Sequence, residues 1–149
     1  MAVDVHTEVF IDAAPERVAA YVADPANAPE WYENIRSVEW ETPPPLALGT
    51  RTAFVATFLG RRLAYSYEVV EWAPGRRLVM RTAQGPFPME TTYIWTPEGE
   101  HGTRMSLRNR GEPSGFAKVG APVLTAQMRR ANRADLDRLK ELLESGRAG

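Results

Sequence analysis

Two sets of side chains in this sequence have the types and spacing to handle a small organic molecule. The first is aromatic. Tyr65 and Tyr67, and again Tyr93 and Trp95, stand two residues apart, so each pair projects from one face of an extended strand, and Trp31 lies in the segment before them. Rings so placed stack on a planar ligand while the phenol groups orient its oxygens; equally, they form ordinary core with their hydroxyls reaching a partner at the edge. The second set is polar. Gln127 and Asn132 fall on or beside an apolar stripe of helical spacing made by Leu124, Met128, Leu136, Leu139 and Leu143. A polar group on such a stripe must find a partner, either a ligand carbonyl or a backbone or water group.

Proton-transfer chemistry needs an acid or base whose pKa is tuned by burial, and the sequence supplies few. His6 lies on the side of its strand opposite Val5 and Val9, and His101 falls in a turn. Glu71 shares parity with Tyr67 but ends its strand, while Glu68 and Glu90 have outward parity. Arg108 and Arg110 also read outward; Arg110, beside the expected mouth of a pocket, is placed either for a solvated salt bridge or to meet a carboxylate or phenolate. Arg129, Arg130 and Arg133 are interspersed with Asp135, Asp137 and Glu141, the charge mixture of a solvated helix face, so no nucleic-acid partner is expected. No Ser/His/Asp set is suitably spaced, and two isolated histidines without cysteine exclude zinc from the expectation. Gly99, Gly102 and Gly111 form no phosphate-cradling pattern. Neither metal nor cofactor is therefore expected.

The elements that must position these groups are legible in the period of the apolar residues. Residues 121–144 form the one stretch long and periodic enough for a full-length helix, roughly 36 Å at the usual rise. Pro122 suits its first turn and Gly146 its stop. Leucine is continuous along the C-terminal half of its stripe, whereas the polar interruptions fall in the N-terminal half. The leucine half therefore reads as core anchor, and Leu124 to Asn132 as the wall of something not fully packed. Residues 3–11 alternate as a half-buried strand, and Pro15 opens a short helix with Val18, Tyr21 and Val22 on one face. Pro25 and Pro29 confine the next segment to a second short helix carrying Trp31 and Tyr32. Six further strands are predicted over 35–41, 50–59, 62–72, 76–82, 89–96 and 103–110, separated by turn signals such as Ala73-Pro74-Gly75. Their inward positions include Phe54, Phe58, Tyr65, Tyr67, Met80, Thr91, Tyr93, Trp95, Leu107 and Asn109.

Composition sets outer bounds. A chain of 149 residues with 44% hydrophobic and 25% charged residues buries one real core and is neither disordered nor fibrous, and it reads as a single domain over 1–149. A net charge of −1 gives no field to attract nucleic acid or anionic lipid. With no cysteine there is no disulfide or thiolate site, and with no leader-like start and no run of eighteen apolar residues, a cytoplasmic protein without integral membrane association is the expectation. A monomer or a homodimer is expected.

Strand, two short helices, six strands and a long helix predict an α+β arrangement, a seven-stranded curved antiparallel sheet wrapped around the only long amphipathic element able to cover its aromatic face, and that order resembles the helix-grip fold. Large rings on a strongly curved sheet need not meet the helix in the middle, which leaves room for a cavity. The chain resembles the START-like and birch-pollen-allergen-like superfamily, and within it the polyketide cyclase/dehydrase branch. The phrases that carry the resemblance are Ala14-Pro15-Glu16-Arg17-Val18, Asp24-Pro25 with Trp31 beyond, Tyr67-Glu68-Val69-Val70-Glu71-Trp72 leading into Pro74-Gly75-Arg76-Arg77-Leu78, and Gly102-Thr103-Arg104. The resemblance implies a deep hydrophobic cavity between sheet and C-terminal helix, opening near the helix's N-terminal end. It also implies a lipid, sterol, polyketide, quinone or hormone as ligand, with metal-free cyclisation, aromatisation or dehydration in some members. On that basis the cavity lining is expected to comprise Trp31, Phe54, Phe58, Tyr65, Tyr67, Met80, Thr91, Tyr93, Trp95, Leu107, Phe116, Leu124, Gln127, Met128 and Asn132. Three uses stay open: binding of a small hydrophobic or aromatic, partly oxygenated molecule, cofactor-independent catalysis in the same cavity, or a filled core acting through its surface. The scarcity of buried titratable groups favours binding.

Overall fold

In the computed structural model, residues 2–113 and 120–146 are described; Phe116 lies outside them. The chain runs β1 (Val3–Ile11), α1 (Pro15–Val22), a 3-10 turn (Pro25–Asn27), α2 (Ala28–Trp31), β2 (Ile35–Trp40), β3 (Arg51–Phe58), β4 (Arg61–Ala73), β5 (Arg77–Gln84), β6 (Met89–Glu98), β7 (Gly102–Gly111) and α3 (Ala121–Glu144). All seven strands join one antiparallel sheet in the order β1-β7-β6-β5-β4-β3-β2. The predicted elements are present, and their ends differ by one or two residues, as fraying termini do. The β3–β4 tip is Leu59-Gly60, both with positive φ (49° and 78°), the conformation that suits the twist of a two-residue hairpin.

Local chemistry accounts for the breaks between helices. The Asp24 side chain accepts the Ala26 N–H at 3.0 Å and starts the 3-10 turn, where Pro25 supplies no donor. Pro29 then sits in the first turn of α2, which ends at once because Tyr32 is extended. At the far end of the chain α3 begins after Gly120, whose φ of 86° disfavours any side chain, and it is followed by Gly146 in the left-handed region at φ 76°.

The inner face of the sheet and the leucine half of α3 form the main core. Leu136, Leu139, Leu142 and Leu143 are buried there with Ile11, Val18, Trp95, Met105 and Leu107, each large side chain contributing about 1.5–3 kcal/mol by leaving water. Polar ties fasten the same end: Asp12 N–H donates to Glu144 Oε2 at 2.8 Å and Lys140 Nζ to the Phe10 carbonyl at 2.8 Å. The outer sheet face carries cross-strand ion pairs. Arg108 grips Asp4 with two bonds of 2.8 and 2.6 Å, and Glu90 lies between Arg81 and Arg110. Arg110 thus belongs to this outer ladder, where Glu90 neutralises it, and not to the mouth of a pocket.

Candidate functional site

A cavity of about 180 Å³ lies between the curved sheet, α2 and the N-terminal half of α3. Strand parity brings Phe54 and Phe58 of β3, Leu63, Tyr65 and Tyr67 of β4, Met80 of β5, and Thr91 and Tyr93 of β6 onto its wall. Trp31 and Tyr32 close one side with rings 4.1 Å apart, and α3 supplies Leu124, Met128, Ala131, Asn132 and Asp135. Of the expected lining, Trp31, Phe54, Phe58, Tyr65, Tyr67, Met80, Thr91, Tyr93, Leu124, Met128 and Asn132 are therefore brought together.

Three expected residues are not. Trp95 and Leu107 have the right parity, but they lie further along their strands, where the leucine half of α3 fills the space; they are 2% and 0% exposed in the packed core. Parity gives the face and not the depth. Gln127 is half-buried and off the cavity wall, because it falls at the rim of the helical stripe.

One polar seam crosses the cavity. Thr91 Oγ1 donates to Asn109 Oδ1 at 2.6 Å, so at its 2.8 Å contact with the Tyr67 hydroxyl the threonine accepts. Asn109 Nδ2 in turn donates to Asn132 Oδ1 at 3.2 Å. The seam ends in Asn132 Nδ2, which is buried and has no partner among the described residues, a state whose cost is about 1–3 kcal/mol until something accepts from it. The Trp31 indole N–H is unpartnered in the same way. Burial pushes the Tyr67 phenol up to about 12, with the Thr91 bond pulling the other way.

A second polar pole involves a residue that charge composition alone misassigns. Asp135, read as part of a solvated face beside Arg133 and Asp137, is 2% exposed. Its Oδ1 accepts the Glu33 N–H at 2.9 Å, from the turn after α2. Burial raises its carboxyl from 3.8 to about 7, the Glu33 N–H opposes that rise, and the Glu33 charge adds to it. The Tyr32 and Tyr93 hydroxyls meet at 2.5 Å, and both phenols are driven well up, chiefly by burial and in part by the charge of Asp135. Helical spacing contains the missed signal: Asp135 follows Met128, Ala131 and Asn132 at seven, four and three residues, on the buried stripe. Among the described residues no three His, Cys, Asp or Glu side chains converge to hold a metal ion. None of their helices is long and apolar enough to cross a membrane.

A curled seven-stranded antiparallel sheet gripping a long C-terminal helix is the helix-grip fold of START-like proteins. Residues 2–144 match the family described as polyketide cyclase / dehydrase and lipid transport, and the chain belongs to that family. The chain is similar to TTHA0849 from Thermus thermophilus, with a TM-score of 0.81 and 26% identity over 96% of this chain and 98% of that one. It shares its fold with the Zhui aromatase/cyclase of a Streptomyces species (TM-score 0.77, 15% identity, 95% and 93% covered). A START superfamily protein from Mycobacterium smegmatis superposes likewise (TM-score 0.75, 19% identity, 97% and 96% covered). Among curated proteins, none matches the sequence.

Proposed function

We propose that this chain binds a small hydrophobic or aromatic, partly oxygenated molecule, such as a lipid or polyketide, in the cavity between sheet and α3. The observation that carries the reading is the Asn132 amide N–H. A buried donor without a partner among the described residues, on a side chain that lines an aromatic and aliphatic cavity, would be satisfied by a ligand oxygen. Native mass spectrometry of gently purified protein, followed by organic extraction, tests it. A retained apolar molecule is expected, together with a rise in melting temperature on adding the right member of a panel of lipids, sterols and polycyclic phenols. Protein that is always empty, and whose melting ignores the whole panel, would sink the idea.

One observation favours a second reading, a cofactor-independent cyclase, aromatase or dehydratase. Asp135, with a carboxyl near neutrality in the cavity wall, has the pKa of a working acid or base. The aromatase/cyclase relative supports this by fold alone. If the cavity is catalytic, Asp135→Asn and Tyr67→Phe lower kcat more than they raise KM; equal losses point to binding alone.

A further inference from the structure

The described lining of the cavity contains one carboxyl group, Asp135, and no Arg, Lys or His. That imbalance bears on what the cavity accepts. A ligand bringing a carboxylate or phosphate would set a second negative charge near the first, in a largely apolar setting with no cation among the described lining residues to offset either. A neutral ligand would leave the Asp135 carboxyl with the Glu33 N–H as its only protein donor among the described residues, since that single bond reaches Oδ1. A buried carboxylate needs more than one such bond to offset its lost hydration. An ammonium group supplies what is missing: a counter-charge and donors for the remaining oxygen.

The rings around it favour the same chemistry. Trp31, Tyr32 and Tyr93 cluster on this side of the cavity, with Trp31–Tyr32 and Trp31–Tyr93 centroids 4.1 and 6.0 Å apart. Tyr32 and Tyr93 also sense the Asp135 charge. Aromatic rings beside a carboxylate form an environment that can hold a cation through both charge and quadrupole. The far wall, with Phe54, Tyr65 and Tyr67, is apolar enough to receive the remainder of the molecule.

Building on the proposed binding function, we infer that the ligand is a lipophilic amine, its protonated nitrogen paired with Asp135 and its hydrophobic body lying along the aromatic wall. Any ligand oxygen falls to Asn132, one helical turn away on the same face of α3.

Three probes of one shape and different charge decide the matter: naphthylethylamine, naphthylethanol and naphthylacetic acid, titrated calorimetrically into wild-type protein and into Asp135→Asn. For wild type the amine is expected to bind roughly tenfold or more tighter than the alcohol, and the acid weakest of the three. In Asp135→Asn, which keeps an oxygen for the Glu33 N–H, the amine is expected to lose its advantage over the alcohol. The wild-type ranking stands as a test even if the variant misfolds. If alcohol or acid binds wild type as tightly as the amine, the inference is overturned and the cavity reading survives. Absence of binding by all three, together with no co-purifying molecule, overturns both.

Discussion

In the unfolded chain the carboxyl of Asp135 titrates near its ordinary value of 3.8, whereas in the folded protein burial holds it at about 7. Between those values the native state retains a proton that the unfolded state has lost, so stability falls as pH rises through this window and is flat above it. The full penalty is on the order of 4 kcal/mol. The groups facing the carboxyl are Glu33 from the turn after α2, Tyr32 and Tyr93, none of them a cation. Asn at this position accepts the Glu33 N–H without carrying a charge. Urea denaturation of Asp135→Asn and wild type should therefore give similar stabilities near the acid end of the window, and the variant should be more stable by a few kcal/mol at about pH 8. A difference independent of pH would show that the carboxyl is not titrating as described.

The two halves of α3 differ in what their apolar side chains touch. Leu139 is 0% exposed among core neighbours on all sides, while Leu124 packs with Val3, Phe58, Leu63, Phe87 and Met128 at the edge of the cavity. A side chain that already faces a void has fewer contacts to lose. Leu139→Ala is expected to cost about 4 kcal/mol and Leu124→Ala about 2 kcal/mol, measured by chemical denaturation. Equal costs would mean that the N-terminal half is packed like the rest. At this scale the sequence was informative where period decides the outcome. Alternation at Tyr65/Tyr67 and Thr91/Tyr93 identified the inner face, and Pro122 and Gly146 marked the helix ends. It was uninformative where the outcome depends on segments distant in sequence. Nothing local to Asp135 announces the Glu33 N–H, 102 residues away, that meets it. Nothing local to Trp95 says how far along β6 the helix closes the space. The neighbours Arg133 and Asp137 concealed the first, and correct parity disguised the second.

Taken as a whole, the molecule carries carboxyls of opposite pH behaviour at its surface and in its interior. On the outside, Arg81 and then Arg110 hold Glu90 below its usual range, Arg108 does the same for Asp4, and Lys140 for Glu144 at the end of α3. Groups depressed in this way stabilise the fold above their unfolded values, and that contribution is lost as pH falls through the folded ones. Asp135 acts in the other direction on the inside. The melting temperature of the wild-type protein should thus peak below neutrality, inside the window where Asp135 titrates, and Asp135→Asn should remove the decline on the alkaline side of that peak alone. A peak at or above neutrality in the wild type would contradict this balance of groups.

The pairing of β1 with β7 has a consequence for how the molecule assembles. The strands from β2 to β7 are neighbours in both sequence and sheet, so each can zip onto the one before it within a short loop. β1 has no such neighbour: Val3 lies opposite Gly111 and Ile11 opposite Thr103, and its other face packs mainly against α3. β1 is thus the strand whose pairing spans the greatest separation along the sequence. The loop it must close is far longer than any between the other paired strands, and closing a long loop costs more chain entropy. The meander from β2 to β7 is built of sequence-local hairpins, whereas the β1–β7 pairing is the least local contact in the sheet.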